Sequence, residues 1–215
     1  MTLRKHPLIV LEGADGVGKS TLRDGIYAEL CRARRPAMMV TGHCWLDVAA
    51  TRALIAFRDQ RHALQAAEVS DARLTDRLTH AALIVAPALQ SHTVIADRYI
   101  ASDAVYQEVV FGIPALETLE TYRARGIILP DVVVLVDAPA AIAVDRIVRR
   151  DQPRQFYENA KTLPTLIDRF RALLLEDPPS WFPPVIRIDN GSNDRSVSAR
   201  DLLRELAPLV GYGTV

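Results

Sequence analysis

The densest chemistry in this 215-residue chain lies in Gly13-Ala-Asp-Gly-Val-Gly-Lys-Ser-Thr21, a Gly-x-x-x-x-Gly-Lys-Ser pattern between an apolar run and a segment with helical spacing. Glycine backbone lets successive N–H groups turn inward on phosphate oxygens, and the helix that follows adds the positive end of its dipole. Lys19 supplies a point charge, and the Ser20 hydroxyl can reach Mg²⁺. Gly13, Asp15, Gly16, Val17, Gly18, Lys19, Ser20 and Thr21 are therefore expected to form a nucleoside triphosphate site, with Lys19 also serving the chemistry. Asp15 is the odd member, because a carboxylate beside bound phosphates is repelled unless it faces another partner.

A second cluster, Asp97-Arg98-Tyr99, follows the third apolar run. Open α/β sheets bind ligands beyond the carboxyl ends of their strands, which puts Asp97 beside the loop mouth, in a catalytic and metal-holding position with Ser20. A third cluster is basic: Arg146-Ile-Val-Arg-Arg-Asp-Gln-Pro-Arg154. A solvated helix end accounts for at least one of its four arginines, since cations suit the negative end of a helix dipole.

These residues need elements to carry them. Short apolar runs at Leu8–Leu11, Ala37–Thr41, Thr93–Ala96, Val132–Val136 and Val185–Ile188 read as five strands buried on both faces. Segments with helical spacing lie between them, around Leu22–Leu30, Leu46–Phe57, residues 71–90 and Leu166–Leu174. The alternation predicts a parallel sheet wrapped on both sides. Pro114 and Pro139 suit first turns of helices, Ser70-Asp71 suits a cap before the long 71–90 segment, and Asp177–Pro184 reads as a stiff connector to the last strand.

Composition narrows the function classes. The length fits one domain over residues 1–215, and 49% hydrophobic residues suffice for a sizeable core. Lys plus Arg (26) equals Asp plus Glu (26), so no charge excess points to a nucleic-acid partner. No apolar run approaches the ~18 residues of a membrane span, the N-terminal run is too short for a signal-peptide core, and two cysteines make no disulfide framework. A cytoplasmic location is the expectation. The guanine-recognition pattern Asn-Lys-x-Asp is absent, which argues against a signalling GTPase, and motor-type ATPases are usually larger. A small-molecule kinase remains.

Three segments, Val10–Thr21, Ala96–Gln107 and Pro130–Pro139, resemble thymidylate kinases in identity, order and spacing. The resemblance implies the P-loop nucleoside monophosphate kinase fold, a three-layer α/β arrangement with a five-stranded parallel sheet, helices on both faces and a short lid at about 146–159. It implies Mg-ATP as donor, dTMP as acceptor and a homodimer. It also gives roles to residues: Arg98 grips the acceptor phosphate, Asp15 faces the sugar 3′-hydroxyl, and Arg77 contacts the base. Ser102, Asp103, Tyr106 and Gln107 belong to the acceptor site, with Tyr106 and Gln107 as its sugar and base wall. Position 16 is Gly, so the catalytic arginine must come from the lid, with Arg150 and Arg154 first and Arg149 next.

The chain also departs from the family. After the second strand it reads Val40-Thr-Gly-His-Cys-Trp-Leu-Asp47, without the usual Arg-Glu-Pro-Gly and its arginine. His43 and Trp45 are possible substitutes, although an ordinary loop histidine and a core aromatic are the blander expectations. The aromatic that stacks on the base is replaced by Arg73 or Leu74. Asp103 accepts hydrogen bonds only, which suits an exocyclic amine or a protonated ring nitrogen better than a thymine carbonyl. Two other readings follow: a kinase for another pyrimidine or modified monophosphate, and an ATP-binding regulatory module.

Overall fold

The computed structural model describes residues 4–60, 64–150, 157, 159–191 and 199–210. Its five strands are β1 (Leu8–Glu12), β2 (Ala37–Val40), β3 (Thr93–Asp97), β4 (Val132–Asp137) and β5 (Val185–Asp189). All pair in parallel in the order β2-β3-β1-β4-β5, as the alternating pattern predicts. The register sets Ile9 opposite Ile95 of β3 and Val132 of β4. Every residue of β1 and β4 is buried, which is why these strands read as unbroken apolar runs rather than alternating ones. The edges differ: β5 buries Ile186 and Ile188 and turns Arg187 outward, while Met38 and Met39 of β2 are exposed.

Helices α1 (Lys19–Arg32), α2 (Val48–Arg58) and α3 (Ala66–His80) carry the N-terminal half. Glu68 accepts from the Gln65 backbone N–H at 2.8 Å, a capping box that starts α3 a turn before the expected Ser70-Asp71 cap. The long segment is not one regular helix. A π-helical turn at Ala81–Val85 leads into α4 (Ala86–Ala88), just where Pro87 removes a donor from the ladder. Ala81 and Val85 are buried, whereas Leu83 is 63% exposed, so this apolar run serves the core on one side only.

The second half holds α5 (Ile100–Phe111), α6 (Ala115–Ala124), α7 (Ala140–Arg149), α8 (Thr162–Arg171) and α9 (Ala199–Val210). Pro114 and Pro139 cap α6 and α7 from one position before the first turn. The connector before β5 packs on α6, where the Trp181 indole N–H donates to Glu120 at 2.7 Å. The main core gathers Leu8, Ile9, Leu11, Ile26, Ile95, Leu119, Leu135 and Phe170, all at or below 1% exposure. A smaller cluster of Ala50, Leu54, Val69 and Ala72 fixes α2 against α3. Among the described residues no helix is long and apolar enough to cross a membrane.

The sheet order matters for the site. β1 leaves toward β3 on one side and β4 on the other, so the loops after β1 and β3 open side by side. The Arg98 backbone N–H donates to the Leu11 carbonyl at 2.9 Å, which locks the two loops in register. Gly13 fits against β4 only because it lacks a side chain: at φ 135° an added Cβ would lie 2.3 Å from the Val136 carbonyl oxygen. Gly13→Ala is expected to cost about 2 kcal/mol or more through strain and overpacking, read as a lowered urea midpoint with an unchanged m-value.

Candidate active site

The glycine loop closes on the start of α1. Gly16 and Gly18 both hold left-handed backbone, at φ 79° and 99°, and Gly18 is the N-cap residue of the helix. Lys19 is buried, and its Nζ donates to the Ala14 carbonyl at 2.6 Å. Burial, together with the charge of Arg98, pushes its pKa down to about 8. Ser20 Oγ donates to Asp97 Oδ2 at 2.8 Å, and Arg23 reaches the same oxygen at 3.3 Å. This pair of hard oxygen donors beside a phosphate loop suits Mg²⁺, which takes one or two protein ligands and completes its shell with phosphate and water.

Arg98 stands at the centre. Its backbone is left-handed at φ 73°, and its guanidinium lies 5.1 Å from the Tyr106 ring centroid. Nη1 donates to the Gly13 carbonyl at 3.0 Å and to Ser102 Oγ at 3.1 Å, while Nη2 donates to Asp15 Oδ1 at 2.5 Å. Tyr106 OH donates to the other Asp15 oxygen at 2.6 Å. Burial alone would raise the Asp15 pKa, and the Arg98 and Lys19 charges overcome it, bringing the value to about 2. Asp15 therefore has the partner that its place in the loop demands.

Two cavities meet at Arg98 and Gly42, which line both. The larger, about 530 Å³, runs along the glycine loop and includes Ser20, Asp97, Arg146 and Arg150. The smaller, about 250 Å³, is walled by Arg77, Asp103 and Tyr106 from the second half of α3 and from α5. Arg77 Nε donates to Asp103 Oδ2 at 2.8 Å, and Tyr122 OH donates to the same oxygen at 2.9 Å. Burial would raise the Asp103 pKa, but Arg77 holds it below the usual carboxylate value. Arg77 Nη1 is buried with no hydrogen-bond partner among the described residues.

Most of the expected site residues converge here, with four corrections. Arg149 points away from the cavities: it pairs with Asp145 at 2.9 Å and its side chain is 77% exposed. Gln107 accepts from Ser70 Oγ at 2.6 Å and lines a separate cavity between α3, α5 and α6, because one helical step beyond Tyr106 turns it to the opposite wall. Trp45 is not core but 41% exposed, lining the smaller cavity. Asp103 is not a lone acceptor but half of an ion pair with Arg77. Ser102 lines the smaller cavity and fixes Arg98, and Arg154 lies outside the described residues.

Of the two candidates for the stacking position, Arg73 faces the smaller cavity and Leu74 the separate one. Phe57 and Tyr157 also line the smaller cavity, and sequence reading missed both. Phe57 ends the apolar stripe of α2, which reads as core, and Arg73 lies over its ring at 5.6 Å. Tyr157 meets the Tyr106 ring edge-on at 5.1 Å. Arg146, which opens the basic cluster but is not among the arginines expected to be catalytic, lines the larger cavity. It donates to the Val17 and Asn190 carbonyls, and its position beside the buried Ala143 and Ile147 was the available signal.

A family model for thymidylate kinase matches residues 11–182. The chain is 32% identical over 174 residues to a probable thymidylate kinase of Methanospirillum hungatei, covering 79% of this chain and 81% of that one. It is 28% identical over 198 residues to a thymidylate kinase of Leptospira interrogans, 92% of each chain. A thymidylate kinase of Xanthomonas euvesicatoria is 33% identical over 168 residues, 73% of this chain and 69% of that one.

Two carboxylates make the site acid-labile. Asp76 of α3, which accepts from His43 and from the Trp45 backbone, is buried, yet those bonds bring its pKa from 3.8 to about 2, as for Asp15. A lowered folded-state pKa gives stability that is present above pH 4 and lost as pH falls toward 2. At 1.36 kcal/mol per unit, the Asp76 contribution is about 2 kcal/mol. Urea unfolding of the native protein and Asp76→Asn between pH 5 and 2 should show a steeper decline for the native protein; parallel curves would refute the assignment.

Proposed function

The chain belongs to the thymidylate kinase family, and from that footing we propose that it transfers the γ-phosphoryl group of ATP to the 5′-phosphate of dTMP, giving dTDP and ADP. An oxygen of the acceptor phosphate attacks the γ-phosphorus while the bond to the ADP oxygen breaks. The loop N–H groups and Lys19 hold the donor phosphates in the larger cavity, and Arg98 presents the acceptor phosphate where the cavities meet. Mg²⁺, held by Ser20, Asp97 and the phosphates, would neutralise charge on the donor. Arg150 and Arg146 border the larger cavity and are the guanidiniums for the charge of the transferring group. Asp15, with Arg98 and Tyr106 fixing its oxygens, takes the sugar hydroxyl.

The observation that carries the acceptor's identity is the buried Arg77–Asp103 pair. Among the described residues Arg77 Nη1 is a donor without a partner, and both bonds accepted by Asp103 fall on Oδ2, so Oδ1 has capacity for a further donor. A donor beside an acceptor matches the O4 and N3–H edge of thymine. Cytosine reverses both groups, with an amine where Arg77 donates and a bare nitrogen where Asp103 accepts. The Asp103 carboxylate, read together with its arginine, therefore favours a thymine-type edge over an exocyclic amine.

The same reading makes the chain one domain over residues 1–215 with a lid at about 146–159, and a cytoplasmic homodimer. It includes no nucleic-acid or membrane partner, in keeping with a formal net charge of zero.

The direct test is turnover with Mg-ATP and dTMP or dCMP. dTMP should exceed dCMP in kcat/KM by about 10³-fold or more, and Arg77→Met should collapse that ratio chiefly by lowering the dTMP value. Equal use of both acceptors would refute the base assignment. Lys19 gives a second check: its free-enzyme value of about 8 means that kcat/KM for ATP should fall as pH rises past 8, where the ammonium is lost.

A further inference from the structure

Arg98 offers an acceptor phosphate only part of its guanidinium. Both hydrogens of Nη1 are donated to Gly13 and Ser102, and one of Nη2 to Asp15, which leaves two of its five N–H groups for a ligand. A phosphate dianion has more acceptor sites than those two N–H groups fill, so a second donor where the cavities meet would share its charge. Gly42 marks that junction, and His43 follows it directly, lining the same small cavity as Arg98. Of the arginines in that cavity, Arg77 is committed to Asp103, Arg73 lies over Phe57, and Arg58 pairs with Asp59.

Resting on the dTMP kinase reading above, we propose that His43 is a second ligand of the acceptor phosphate, oriented by Asp76. His43 Nδ1 lies 2.9 Å from Asp76 Oδ2; a carboxylate only accepts, so Nδ1 carries the hydrogen. The half-buried ring then has Nε2 as its one polar atom for a ligand, and protonation there gives a charge-assisted donor to a phosphate oxygen. Asp76 is 1% exposed and also accepts from the Trp45 N–H at 3.0 Å. Trp45 in turn holds a left-handed backbone at φ 57° and packs its ring 4.6 Å from His43, so the loop is fixed by strain offset locally. His80, also on α3, does not compete for Asp76 as a cation, because burial and Arg77 bring its pKa down to about 4. The other charged residues lining the cavity with His43 are Arg58 of α2, Arg73 and Arg77 of α3, Asp103 of α5 and Arg98.

The test separates the phosphate from the nucleoside. Calorimetric titration with dTMP and with thymidine, on the native protein and His43→Ala, should show dTMP weakened about 10- to 100-fold and thymidine unchanged. His43→Gln keeps a side-chain donor and an Asp76 partner, guards against a variant that misfolds, and should show a smaller loss confined to dTMP. Equal losses for both ligands mean that His43 only supports the loop, and no loss for either means that it touches no phosphate; each overturns the proposal. A native protein that fails to prefer dTMP over dCMP instead overturns the underlying reading, whatever His43 does.

Discussion

The site hangs on one buried carboxylate. Glu12 ends β1 at 1% exposure and accepts from the Tyr99 backbone N–H at 2.9 Å, the Ser102 N–H at 3.2 Å and, in a short bond, the Ser102 hydroxyl. A side chain on the strand that feeds the phosphate loop thereby ties down the first turn of α5, the helix that follows Asp97-Arg98-Tyr99. Burial raises the Glu12 pKa, while the Ser102 bonds and the charges of Arg98 and Arg77 oppose that rise. The strand order makes the tie possible, because β1 and β3 are neighbours and their carboxyl ends lie side by side.

What this tie secures is an arginine in an unfavourable backbone conformation. Of the four non-glycine residues with left-handed φ among the described residues, Arg98 and Trp45 both line the smaller cavity, and each holds a strain of about 1–3 kcal/mol that surrounding bonds must offset. The Arg98 N–H to Leu11 and the Trp45 N–H to Asp76 are such bonds. Arg98 then joins charge to geometry: it holds Asp15 ionised, packs on Tyr106 and borders both cavities. Neutralising pairs spread along the wall, Arg98–Asp15 and Arg77–Asp103, so that buried charges have partners before any ligand arrives.

The five strands were legible because strands buried on both faces must be apolar throughout, and β1 and β4 leave no other reading. The glycine loop was legible because its chemistry is local: a few consecutive backbones do the work. What escaped depends on side chains meeting across distant elements. Asp103 read alone suggested a donor on the base, an exocyclic amine or a protonated ring nitrogen, and only the approach of Arg77 from α3 makes it half of an ion pair. Phe57 read as core because its helix has an apolar stripe, yet the stripe ends at a cavity rather than inside. Gln107 and Tyr106 are sequence neighbours on opposite walls, and Ser70-Asp71 lost to Gln65 and Glu68 as the cap because both types of cap obey the same local rule.

In the proposed reaction donor and acceptor occupy two cavities joined at Arg98 and Gly42, so that transfer between them is direct. The most direct measurement is the Kd of one molecule in which adenosine and thymidine are joined through a chain of phosphates, compared with ATP and dTMP separately. Simultaneous occupation of both cavities should tighten binding by about two orders of magnitude or more over either nucleotide. An affinity no better than that of the tighter single nucleotide would contradict the shared junction and the transfer built on it.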